Sequence, residues 1–153
     1  MKALLIYAST EHGNTRKVSE AAAEAGDVTL VDVANIDTEK PVNIAEYDLI
    51  GFGSGIFGGR FSKALMKQVE DLKDAEDGQK AFAYSTGSFD NFKSHKQIDK
   101  ILEAKGYTVL PGFTCKGYNT FPLFKPLGGL AKGHPNEEDF TKAKKEMTRL
   151  LES

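Results

Sequence analysis

Residues 2–15 read KALLIYASTEHGNT, an apolar run that breaks into a small, hydroxyl-rich loop and then opens a helix. The run Ala3-Leu4-Leu5-Ile6-Tyr7 is short, apolar and partly β-branched or aromatic, as a strand buried on both faces should be. Ser9, Thr10, Gly13, Asn14 and Thr15 offer hydroxyl, amide and backbone N–H groups to one acceptor. The following helix turns its positive dipole end toward this loop, which makes a seat for phosphate. The plainer alternative is an ordinary strand–turn–helix with Thr or Asn as the helix cap.

Working outward, the chain alternates between two periods. Residues 28–33, 49–53 and 81–84 read as further strands. A fifth begins at Thr108-Val109-Leu110 and is expected to run toward Cys115, with Pro111 marking an edge or a bulge. Between them lie helical stripes. Val18, Ala21, Ala22 and Ala25 form the first, stopped by Gly26. Phe61, Leu65, Val69 and Leu72 form the second, and Ile98, Ile101 and Leu102 the third, ended by Lys105 and Gly106. The last holds Phe140, Ala143, Met147, Leu150 and Leu151, with Asn136 as its cap and Glu137, Glu138 and Asp139 in its first turn. Residues 34–47 are weakly patterned and are expected to hold a short helical turn.

Strands alternating with helices give an α/β fold, a parallel sheet with helices on both faces. At 153 residues the chain is expected to be one domain, 1–153, that buries about two-thirds of its unfolded surface. The net charge of −2 gives no support to nucleic-acid binding. No apolar stretch approaches membrane-spanning length. The single cysteine, Cys115, leaves no internal disulfide and fits a cytoplasmic location.

In such sheets the ligand sits outside the carboxyl ends of the strands. The loops there read STEHGNT, SGIFGGR, STGSFDN and KGYNTF, rich in small and hydroxyl residues, with an aromatic in three. A flat aromatic ligand bearing a phosphate suits them. Other guests lack their motifs. There is no GxxxxGK[ST] for a nucleotidase and no GxGxxG after the first strand. The GFGSG at 51–55 lies on the third strand, where its glycines are expected to permit close packing. There is no acidic cluster for a phosphate-receiving regulator, no thiol in the first loop, and no Cys/His set with metal-ligand spacing.

At these residues the chain resembles the flavodoxin family. Thr10-Glu11-His12-Gly13-Asn14-Thr15 is similar to the family's phosphate loop, [ST]-x-[ST]-G-x-T. Gly53-Ser54-Gly55-Ile56-Phe57-Gly58-Gly59 is similar to its third-strand loop, and Glu46-Tyr47-Asp48-Leu49-Ile50 to the lead-in. The resemblance implies a three-layer sandwich around a five-stranded parallel sheet in the order 2-1-3-4-5. It implies a non-covalent FMN whose phosphate lies on the loop Ser9 to Thr15, Glu11 and His12 included. The ring would lie between the loop Ser54, Gly55, Ile56, Phe57, Gly58 and Gly59 and the loop Ser85, Thr86, Gly87, Ser88, Phe89, Asn91 and Phe92.

Three departures from the family pattern stand out. His12 replaces a hydroxyl residue, and Gly55 replaces a common proline. There is no tryptophan, so ring stacking falls to Phe57, Phe89, Phe92 or Tyr118. Cys115 reads as a buried small residue, and His95 and His134 read as surface residues. No catalytic acid or base and no metal ligand is expected. The resemblance implies an electron carrier between redox partner proteins; the alternative is a reductase that takes hydride from NAD(P)H and passes it to a quinone or similar acceptor. Family members are typically acidic near the cofactor. Here the loop segments hold Arg16, Arg60, Lys63, Lys93, Lys96, Lys116, Lys125 and Lys132 against Glu11 and Asp90, in a chain that is acidic overall. An anionic partner is therefore expected.

Overall fold

All six residues of β1 (Ala3–Ala8) are buried. Leu4, Ile6 and Ala8 face one apolar cluster and Ala3, Leu5 and Tyr7 the other, which is the two-sided burial that the continuous apolar run predicts. The computed structural model describes residues 1–9, 13–36, 42–87, 92–116 and 133–153. Around β1 the described strands lie in the order β2 (Val28–Asp32), β1, β3 (Leu49–Phe57), β5 (Lys80–Gly87) and then β6 (Thr108–Val109) with β7 (Phe113–Lys116). All these pairs are parallel. With β6 and β7 taken as one interrupted strand, this is the expected 2-1-3-4-5 order. One short strand was not legible: β4 (Arg60–Phe61) folds back antiparallel on the end of β3.

Helices α1 (Asn14–Ala23) and α4 (Glu137–Leu151) pack together on one face. On the other, α2 (Lys63–Glu70) packs against α3 (His95–Ala104). The start of α4 is set chemically. Asn136 Oδ1 accepts from Asp139 N (3.1 Å) and Asp139 Oδ2 accepts from Asn136 N (2.8 Å), a reciprocal capping box. The second stripe spans more than its helix: Phe61 belongs to β4 and Leu72 lies past α2, yet both are buried. The weak 34–47 connection holds two 3-10 turns, Val33–Asn35 and Ile44–Glu46, capped by Asp32 and Asn43. Residues 37–41 lie outside the described residues.

The glycines of GFGSG do permit close packing. Gly51 and Gly53 pair with Phe82 and Tyr84 on the neighbouring strand. A Cβ on Gly53 would lie 2.2 Å from the Tyr84 ring, and one on Gly51 would lie 2.5 Å from the Phe82 ring. Each aromatic therefore lies across its neighbour's backbone, and Tyr84 also stacks on Phe113 at 5.2 Å. The fifth strand breaks at residues 110–112, where Gly112 passes so near Ala83 O that a Cβ would stand 1.6 Å from it. Pro111 at the break agrees with the expected irregularity.

Candidate functional site

The carboxyl ends of β1, β3, β5 and β7 form one row. Ala8 pairs with Ser54, Ser54 with Ser85, and Ser85 with Thr114. Ser54, Ser85 and Thr114 are buried hydroxyl residues. The next row is Gly55, Thr86 and Cys115; Cys115 is buried, as expected.

On the α1 side, the helix is capped neither by Thr nor by Asn. Gly13 is the N-cap, in the left-handed conformation (φ 63°), and supplies no side chain to the first-turn amides. Only glycine reaches that conformation without strain. Ser9 Oγ accepts the Arg16 N–H at 3.1 Å. Thr15 Oγ1 meets Thr86 Oγ1 at 2.9 Å, which ties the start of α1 to β5. One turn further, Ser19 Oγ donates to Thr15 O (2.7 Å), so the Tyr84 hydroxyl donates to Ser19 Oγ (2.6 Å). Burial raises the Tyr84 phenol pKa well above its ordinary value, so it stays a donor. Thr10, Glu11 and His12 lie outside the described residues.

The second loop is a two-residue hairpin. Phe57 pairs with Arg60, and Gly58 and Gly59 between them both take positive φ (58° and 79°). A tight turn of this kind needs two left-handed residues, hence the glycine pair. Ser54 Oγ donates to Gly55 O (2.6 Å) and accepts from Ser62 N (3.0 Å), fixing the base of the hairpin. Ile56 pairs with Phe61. Phe57 is 46% exposed, and its ring lies over Gly55, where a Cβ would stand 3.2 Å from Cζ. Glycine in place of proline gives that ring its room.

The third loop contains a correction. His95 is not a surface residue: it is 3% exposed. Its Nε2 lies 2.8 Å from Ser85 Oγ, and Phe61 and Phe92 present ring edges to it at 5.4 and 5.2 Å. Desolvation lowers its pKa to about 4, so it is neutral near pH 7. The reading failed because polarity alone places histidine outside. Here one hydroxyl and two aromatic rings replace water. Thr86 and Gly87 end β5, and Phe92 is 53% exposed. Ser88, Phe89, Asn91 and Tyr118 lie outside the described residues, as do residues 117–132 with Lys125 and Lys132. Thr114 was missed by the sequence reading. Its hydroxyl is buried without a hydrogen-bond partner among the described residues; its place opposite Ser85 follows only from register.

His134 also departs from the surface reading. It is half-buried, with Nδ1 2.6 Å from Asp139 Oδ2 at the start of α4. The six described cations of the loop segments, Arg16, Arg60, Lys63, Lys93, Lys96 and Lys116, are all exposed. Among the described residues there is no cluster of three metal-ligating side chains. No helix among them is long and apolar enough to cross a membrane.

A family model described as "Flavodoxin domain" matches residues 4–117. The chain belongs to the flavodoxin family. An uncharacterized protein of Methanocaldococcus jannaschii is 43% identical over the full length of both chains. Among solved structures, this flavodoxin-family chain is similar in fold to oxidised Flavodoxin 2 of Bacillus cereus. The TM-score is 0.70 at 21% identity, covering 99% of each chain. It is also similar to a flavodoxin from the domain Archaea, with a TM-score of 0.69 at 17% identity, covering 99% of this chain and 97% of that one.

Proposed function

We propose that the chain binds one FMN non-covalently and carries electrons between protein partners. One observation carries the reading. The start of α1, with no side-chain cap from its N-cap residue, is tied by Thr15 and Thr86 to the carboxyl end of the sheet. This lies beside β1, where the strand order reverses. The donors fit a phosphate: first-turn amides behind a left-handed glycine, with the hydroxyls of Ser9 and Thr15 beside them. Thr10, Glu11, His12, Gly13 and Asn14 complete the proposed seat.

The hairpin Ser54 to Gly59 and the loop Ser85 to Phe92, with Ser88, Phe89 and Asn91, would flank the ring. Phe57 is the described aromatic best placed to cover it. Among the described residues, and apart from the chain neighbours, no heavy atom lies within 4 Å of where a Cβ would stand on Gly58 or Gly59, which leaves the peptide between them room to turn toward the ring. When bound, FMN supplies the redox chemistry. The protein supplies the stacking surface, hydrogen bonds and a local field. A reducing, cytoplasmic setting suits a chain whose single cysteine is the buried Cys115.

The test is reconstitution of the purified chain with flavins, followed by release and chromatography. One FMN per chain is expected. Recovery of the adenine dinucleotide, or of no flavin, would overturn the reading.

A further inference from the structure

Between the hairpin and α2 lies a groove of about 710 Å³, and Phe57, Arg60, Phe61, Lys63, Met66 and Lys67 form most of its wall. We propose that this groove docks an acidic segment of a redox partner protein, one with carboxylates flanking an apolar residue. The proposal rests on the electron-carrier reading and names the chemistry of the partner.

Its first support is unspent charge. Arg60, Lys63 and Lys67 are exposed, and none has a side-chain ion pair or hydrogen bond among the described residues. Glu70, the last residue of α2, is the acid in the lining. The wall is therefore net positive in a chain whose net charge is −2.

The second support is where the charges stand on their helices. A helix is stabilised by acids in its first turn and cations in its last, by about 0.3–1 kcal/mol each. α4 obeys, with Glu137, Glu138 and Asp139 first and Arg149 last. The first turns of the other three helices do not. α1 opens with Arg16 and Lys17, α2 with Lys63 and α3 with Lys96, and none has an acid in its first turn. α2 also ends on Glu70 and Asp71, although Lys67 stands in the same last turn. Where a chain breaks a local rule repeatedly, the compensation is expected in function. An anionic partner arriving where Lys63 opens α2 supplies it there.

The third support is the shape of the patch. Phe61 is buried and Met66 half-buried in the wall, while Phe57 is exposed at its lip. An apolar centre ringed by charge is the anatomy of a protein interface. Beyond α2, residues 70–77 carry Glu70, Asp71, Asp74, Glu76 and Asp77 against Lys73. The molecule is thus polarised along α2, and an acidic partner is steered to the groove and away from the far end.

The test uses the 15N-labelled full chain with FMN added, in titrations with an oxidised, acidic plant-type ferredoxin, with the basic protein cytochrome c, and with NADPH. Ferredoxin is expected to shift the amides of Phe57, Arg60, Lys63, Met66 and Lys67. Its affinity should fall about tenfold from low to high ionic strength, and by a similar factor in K63E/K67E. The milder K63Q/K67Q should lose part of that affinity while taking up FMN like the parent. Tighter binding of cytochrome c, ferredoxin shifts confined to α4, or displacement of ferredoxin from these amides by NADPH would overturn the proposal. Loss of the cofactor reading would show differently, as no FMN uptake by the parent chain.

Discussion

The two ends of the sheet satisfy their polar groups in different ways. At the amino-terminal end the protein closes its own accounts. Gln79 is buried; its Nε2 donates to Ile44 O and Tyr47 O, both at 2.9 Å, and its Oε1 accepts from Glu76 N at 2.8 Å. Lys105 Nζ donates to Glu70 O and Leu72 O, and the Tyr107 hydroxyl to Lys73 O. One side chain there stitches two or three turns together. At the carboxyl end, Thr15 pairs with Thr86 and Ser85 with His95, Ser54 Oγ bonds only within its own hairpin, and Thr114 Oγ1 has no partner among the described residues. Phe57 and Phe92 stand exposed, and Arg16, Arg60, Lys63, Lys93, Lys96 and Lys116 lie exposed on the segments there. The amino end is built to hold the fold, and the carboxyl end keeps donors for something else.

Acid should break the carboxyl end first. His95 has a folded-state pKa near 4 against an ordinary value of 6.5. The unfolded chain therefore binds the proton more readily between those values. The stabilisation is whole above pH 6.5 and is lost as pH falls toward 4, on the order of 3 kcal/mol in all. Denaturant unfolding from pH 7 to 4 should show this loss, and His95→Phe should flatten most of it. An unchanged slope in that variant would move the acid sensitivity elsewhere.

Gln79→Ala would test the other end. It strands Tyr47 O and the Glu76 amide, while Ile44 O keeps the Tyr47 N–H, and should cost about 2–3 kcal/mol of stability. Flavin affinity, measured by fluorescence quenching at a temperature where the variant is folded, should not change. A joint loss of stability and affinity would erase the contrast between the ends.

Thr15→Ala should do the reverse. Cofactor affinity should weaken by about 1–3 kcal/mol, the worth of a hydrogen bond to a charged group. The fall in melting temperature without flavin should be smaller than for Gln79→Ala. The smallest effect belongs to Thr114→Val. It removes a buried hydroxyl that has no partner among the described residues and keeps the shape, so stability without flavin should hold or rise, by no more than about 1 kcal/mol. A clear loss in calorimetry would reveal a partner for that hydroxyl.

Much of this architecture is legible in local sequence. The run 3–8 declares a doubly buried strand. The Asn136–Asp139 spacing declares the start of α4, because capping is decided within four residues. The paired glycines at 51 and 53 suggest close packing, but only register shows that Phe82 and Tyr84 fill their space. What was not legible is mostly nonlocal. β4 is two residues long and exists only through pairing with Ile56 and Phe57. The burial of His95 depends on Phe61 from a distant hairpin. The hydroxyl row through Ser54, Ser85 and Thr114 comes from three strands whose alignment no single segment encodes. Gly13 as the cap of α1 illustrates competition between neighbours, since the flexible residue takes the role that the plainer reading offered to Thr or Asn.

The break at residues 110–112 has a further consequence for how molecules of this protein meet one another. A long, regular margin of a sheet presents a ladder of free amides and carbonyls on which another chain can grow. Here β6 and β7 are two and four residues long, and Pro111 between them has no amide hydrogen to donate. Arg149 of α4 donates through Nη2 to Pro111 O at 2.8 Å and to Gly112 O at 3.4 Å. Two carbonyls at the gap are thus already engaged. A strand from a second molecule would find only short, discontinuous stretches to copy, which makes this margin a poor template for fibril growth.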